Sequence, residues 1–141
     1  MRVTEIYGFE NRKRQELPLF LANVPAGFPS PADDYVDRKL DLNEYLVKHP
    51  SATFFVRVEG ESMINAGIHC GDVLIVDRAL EATDKKIVIA NVGGELTVKR
   101  IRKIKSKLFL AAENPDFEPI EVKGGEQFEV WGVVTYVLHQ L

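Results

Sequence analysis

From Thr53 onward the chain is a succession of short β-branched and aromatic runs separated by turn residues, a pattern that commits most of it to strands. Residues 53–58 (TFFVRV), 73–76 (VLIV) and 87–92 (IVIANV) are too short for helices and are bounded by glycine, aspartate or other turn formers. Gly93-Gly94 falls between IVIANV and the run 96–104, which predicts a tight hairpin. Residues 108–112 read as a further strand, Asn114-Pro115-Asp116 as a turn, and 128–138 (FEVWGVVTYVL) as a long final strand. Many short strands with little helix predict a mainly β fold: a single curved, barrel-like antiparallel domain.

Residues 1–40 read differently. They hold Pro18, Pro25, Pro29 and Pro31 and the basic cluster Arg12-Lys13-Arg14. Proline fixes φ and removes a backbone donor, so the expectation is an extended N-terminal arm outside the core, followed by a β domain over 41–141. Leu17, Leu19, Phe20, Leu21, Phe28 and Tyr35 require the arm to lie against its own chain or a partner. One short helix is legible. Asp41 is an N-cap, Glu44 completes a capping box, Leu42, Tyr45 and Leu46 form an apolar face, and His49-Pro50 ends it.

At 141 residues the chain is one domain's worth of protein, large enough to bury a core without staples. Its 18 Lys+Arg against 21 Asp+Glu leave a net charge of −3, which argues against gripping nucleic acid through a basic face. A single cysteine, Cys70, excludes an internal disulfide framework and a cysteine zinc cluster. No apolar run approaches a membrane span and the first residues are not a secretory signal, so the expected location is the cytoplasm.

Little in the sequence suggests chemistry at first sight. His49, His69 and His139 stand at no metal-ligand spacing and read as surface or loop residues. No phosphate loop, dinucleotide fingerprint or Gly-x-Ser-x-Gly elbow is present, and neither metal nor cofactor is expected. Trp131 and the phenylalanines read as core.

Two places stand out. Ser62, in Val58-Glu59-Gly60-Glu61-Ser62-Met63, falls where the chain leaves a strand. It could present its hydroxyl to a cleft beside backbone N–H groups, or merely cap the next turn, and spacing alone favours the cap. Lys99 lies in Leu96-Thr97-Val98-Lys99-Arg100-Ile101, where both alternating faces carry apolar residues. On an inward face its amine would be desolvated and could act as a base. Arg100, Arg102, Lys103, Lys105 and Lys107 favour instead a solvated lysine on a strand edge, and favour that edge over a nucleic-acid patch. No histidine-based triad can be assembled, and a neutral lysine is a known partner for a serine nucleophile.

Taken in order, Gly60-Glu61-Ser62-Met63, Gly71-Asp72-Val73-Leu74-Ile75-Val76-Asp77 and Glu95-Leu96-Thr97-Val98-Lys99-Arg100 resemble the self-cleaving LexA/UmuD peptidases of the S24 type. Phe28-Pro29-Ser30-Pro31-Ala32-Asp33-Asp34-Tyr35-Val36 and His49-Pro50-Ser51-Ala52-Thr53-Phe54-Phe55-Val56 resemble the UmuD-type mutagenesis subgroup. The resemblance runs from about Leu17 to the end of the chain. It implies Ser62 as nucleophile, Lys99 as general base, backbone N–H groups of Glu61 and Ser62 at the oxyanion, and Ala26-Gly27 as the scissile pair. Glu61 stands where many members have Asp or Met. Ala26 replaces the cysteine of the best-known UmuD-type pattern and is the LexA-type residue.

The resemblance also implies partners: a second copy of the chain, a UmuC-like Y-family polymerase subunit, and a RecA filament on single-stranded DNA that stimulates the cut. Only 26 residues precede Gly27, too few for the helix-turn-helix domain of the repressor members, so sequence-specific DNA binding is not expected. Gln15-Glu16-Leu17-Pro18-Leu19-Phe20 resembles motifs that dock on the replicative sliding clamp, although such hexapeptides arise often by chance. Two other readings compete: a non-catalytic β module whose arm binds a partner, and a signal-peptidase-like Ser/Lys protease acting on other proteins. The latter would need a membrane anchor, and none is visible.

Overall fold

The computed structural model describes residues 1–9, 16–20, 36–125 and 127–141, with the backbone alone for 16–20 and 36–39. They belong to two compact units, Met1–Phe9 with His49–Leu141, and Glu10–Lys48. The first unit holds β1 (Arg2–Gly8), β4 (Thr53–Glu59), β5 (Val73–Asp77), β6 (Ile87–Val92), β7 (Glu95–Ile104), β8 (Lys107–Ala111), β9 (Ile120–Val122) and β10 (Phe128–Leu138). They form one antiparallel sheet in the order β1-β4-β5-β10-β6-β7-β8-β9, and Arg2 of β1 also pairs with Thr97 of β7. That contact closes six strands into a barrel, the architecture expected for the β domain, with β8 and β9 as an extension.

Residues 2–8, read from sequence as arm, are thus a strand. RVTEIYG is rich in β-branched and aromatic residues, and it covers the edge of β4 from Arg2↔Glu59 to Gly8↔Phe54. Alternation then fills the barrel. Val56 and Val58 of β4, Leu74 and Val76 of β5, Ile89 of β6 and Val98 of β7 close on Met63 and Ile68, all buried. Trp131 packs edge-on against Phe54 beside this cluster. A second cluster of Val88, Ala90, Ile101, Leu110 and Val133 lies between the barrel and its extension.

Gly93 and Gly94, at φ +60° and +91°, make the predicted hairpin between β6 and β7, where L-residues are strained. β7 is internal, hydrogen-bonded to β6 and β8, and is not the strand edge expected from its charges. Its arginines meet acids instead: Arg100 pairs with Glu113 and Arg102 with Asp84.

In the second unit, β2 (Glu16–Phe20) pairs with β3 (Val36–Asp41), followed by α1 (Leu42–Leu46). Asp41 caps the helix as expected, its carboxylate accepting from the Glu44 N–H at 3.2 Å. The backbone of the clamp-like motif from Glu16 onward is therefore engaged in pairing with β3. Gln15, the basic cluster 12–14 and the Ala26-Gly27 pair lie outside the described residues.

Candidate active site

Ser62 is positioned by the way β4 ends. Gly60, at φ +104°, turns the chain off the strand. The next residues are held by short bonds: Ile64 N–H to the Glu61 carbonyl, and Ala66 N–H to the Met63 carbonyl. Met63 is fully buried in the barrel core and anchors the loop from inside. From outside, Asn114 Nδ2 donates to the Glu61 carbonyl at 2.9 Å and Asn65 N–H to the Glu113 carbonyl at 2.9 Å. The loop is pinned on both sides, so Ser62 has one place to be.

Lys99 enters from the opposite wall on β7. It is only 8% exposed, which resolves the two-faced alternation of its strand: its side chain points in. Lys99 Nζ lies 3.1 Å from Ser62 Oγ, and Ser62 itself is 1% exposed. Phe117, read from sequence as core, is instead half-exposed, with Lys99 Nζ 5.7 Å from its ring centroid. The two residues singled out in the sequence, 37 positions apart, are thus in direct contact. Ser62 lines a cleft of about 340 Å³ with Met1, Arg2, Glu59, Gly60, Glu61, Cys70 and Phe117, and Lys99 lies behind it.

A third group joins them that no motif announces. The Met1 α-amine lies 2.5 Å from Ser62 Oγ. Met1 sits between the walls that carry Ser62 and Lys99. Its carbonyl accepts from Val98 N–H at 3.0 Å and from Thr97 Oγ1 at 2.8 Å, while Arg2 pairs with Glu59. Burial, then the charge of Lys99 and a hydrogen bond with it, lower the amine from 8.0 to about 5. The signal that could have located this strand was the β-forming run Arg2-Val3-Thr4-Glu5-Ile6-Tyr7, which the proline-rich residues after it obscured.

A serine hydroxyl and a lysine amine at hydrogen-bond distance, both removed from bulk water, can exchange a proton while the oxygen attacks a carbonyl.

Comparison with known proteins bears on this geometry. The family model described as "Peptidase S24-like" matches residues 18–135. Protein SamA of Salmonella typhimurium is 45% identical over 123 residues, covering 87% of this chain and 85% of the relative. Protein MucA of Escherichia coli is 46% identical over 123 residues, covering 86% and 84%. LexA repressor 1 of Pseudomonas syringae pv. tomato is 42% identical over 121 residues, covering 86% of this chain and 59% of the repressor.

Proposed function

The chain belongs to the S24-like peptidase family of self-cleaving serine peptidases, and from that premise we propose that it cuts its own Ala26–Gly27 bond with Ser62 as nucleophile and Lys99 as general base. The observation that carries the reading is the buried 3.1 Å contact between Ser62 Oγ and Lys99 Nζ. Neutral Lys99 takes the Ser62 proton as Oγ bonds to the Ala26 carbonyl carbon. Backbone N–H groups of Glu61 and Ser62 hold the resulting oxyanion. Lys99 returns the proton to the Gly27 nitrogen as the C–N bond breaks. Water, deprotonated by Lys99, then releases the Ala26 carboxylate from the serine ester. Because the Met1 amine lies on Ser62 Oγ, the scissile carbonyl reaches the serine only after Met1 withdraws.

The chain is a UmuD-type protein of SOS mutagenesis, in which the role goes with a Y-family polymerase partner. We extend this reading to a cytoplasmic homodimer in which the segment after β1, residues 10–40, carries the cleavage site and whose cut is stimulated by a RecA filament on single-stranded DNA. The product, starting at Gly27, then joins a UmuC-like subunit. Contact with the sliding clamp through Gln15–Phe20 would involve a segment whose backbone from Glu16 onward pairs with β3. No helix among the described residues is long and apolar enough to cross a membrane.

An intact-mass time course of purified protein at mildly alkaline pH, beside a Ser62→Ala control, tests the reaction. The expected result is a fragment beginning at Gly27 from the parent chain and none from the variant. The same fragment from both chains, or no fragment from either with RecA filament added, would overturn the proposal.

A further inference from the structure

On the body that carries the cleft, two histidines that sequence spacing keeps apart converge on one carboxylate. Asp72 is 2% exposed, at the end of the turn 69–72 that leads into β5. The turn is rigidly held: Asp72 Oδ2 accepts from His69 N–H at 2.7 Å, Val58 N–H donates to the Asp72 carbonyl at 3.1 Å, and Arg57 Nη1 donates to the Gly71 carbonyl at 2.9 Å. His139 arrives from another element, directly after β10, whose last pair is Leu138↔Val73. Its Nδ1 lies 2.6 Å from Asp72 Oδ1, and His69 Nδ1 lies 3.7 Å from Oδ2. The imidazole centroids are 4.7 Å apart at a 38° tilt. One ligand atom from each of the three side chains falls within 4.8 Å of the others.

We propose that His69, Asp72 and His139 form a three-ligand site for a divalent ion of the zinc class. Two imidazoles and a carboxylate are a recurrent donor set for such ions, with metal–ligand distances of about 2.0–2.2 Å. Tetrahedral geometry at those lengths places ligand atoms about 3.4 Å apart; the His139–Asp72 contact must open from 2.6 Å and the widest separation must close from within 4.8 Å, adjustments that rotation of two half-exposed imidazoles supplies. The buried carboxylate is fixed by its turn, so the site is partly preorganised. Imidazole donors select against magnesium and calcium, which take oxygen ligands. Bound metal would tie the entry of β5 to the end of β10. The site lies outside the Ser62–Lys99 pair and takes no part in the proposed cleavage.

The test uses the untagged full chain carrying Cys70→Ser, which removes the thiol as a competing ligand, confirmed whole by mass. Zn²⁺ is titrated in competition with a chromogenic chelator. Thermal unfolding is followed with Zn²⁺, with Mg²⁺, and after EDTA. The expected result is one Zn²⁺ per chain, a melting temperature raised by several degrees and reversed by EDTA, and no response to Mg²⁺. His69→Gln and His139→Gln should each weaken Zn²⁺ binding by about tenfold or more. Absence of binding, an equal response to Mg²⁺, or undiminished binding in both variants would overturn the site. The metal-dependent melting of the parent decides the question even if a variant folds poorly.

Discussion

In the 141-residue chain, the docked Met1 amine should make the cleft sensitive to pH between about 5 and 8. Undocked, the amine protonates below its ordinary value of 8.0; docked beside Ser62 and Lys99 it protonates only near 5. Between those values the undocked state binds more protons, so docking strengthens as pH rises. The contribution is fully present above about 8, declines as pH falls toward about 5, and changes no further below it. A shift of about three units corresponds to at most about 4 kcal/mol. The amine is only half-buried, and solvent screening reduces this to about 1–2 kcal/mol.

N-terminal acetylation removes the ionisable group and is the perturbation to use. Hydrogen exchange at the Val98 amide reports docking directly, because that N–H donates to the Met1 carbonyl at 3.0 Å. In the free chain, protection at Val98, corrected for intrinsic exchange, should increase by about 5–30-fold from pH 5 to pH 8. In the acetylated chain the profile should be flat over that range. Identical profiles in the two chains, or protection that falls as pH rises, would refute the account of Met1. Gly27→Leu keeps the chain whole during the measurement without touching Ser62, Lys99 or Met1.

Lys99→Arg should reduce self-cleavage by about 10²–10⁴-fold, because arginine stays protonated and cannot accept the serine proton; cleavage near the parent rate by intact mass would remove Lys99 from its role. Gly27→Leu should slow the cut by about 10²-fold while leaving the far-ultraviolet circular dichroism unchanged, since a branched side chain beside the scissile carbonyl holds it away from Ser62; an unchanged rate would mean another bond is cut. Gly132→Ala should destabilise the barrel by about 1–3 kcal/mol in urea unfolding. Its new Cβ would stand 2.7 Å from Val76 Cγ1 and 3.2 Å from the Asp77 carbonyl oxygen, and stability within error of the parent would show that β10 shifts to admit a methyl group.

Strands whose residues announce themselves locally were legible, and those defined by their neighbours were not. TFFVRV, VLIV and IVIANV are runs that only a sheet accommodates, and two glycines at positive φ are their own turn signal. β9 is three residues, Ile120–Val122, without a local pattern, and exists because β8 offers it an edge. β1 needed both its own β propensity and the edge of β4, information separated by more than forty residues. Lys99 shows the limit most clearly. Its strand alternates apolar residues on both faces because β7 is internal to the sheet, with the barrel interior on one side and the second cluster nearby, so no count of neighbours in sequence could orient the lysine. What turned it inward was closure of the barrel, which sets the wall bearing Lys99 against the bend bearing Ser62. The same closure brought Met1 to the serine, and the pairing of β10 with β5 brought His139 to Asp72. Chemistry that depends on one residue's type is readable along the chain; chemistry that depends on two strands meeting is readable only once the register is known.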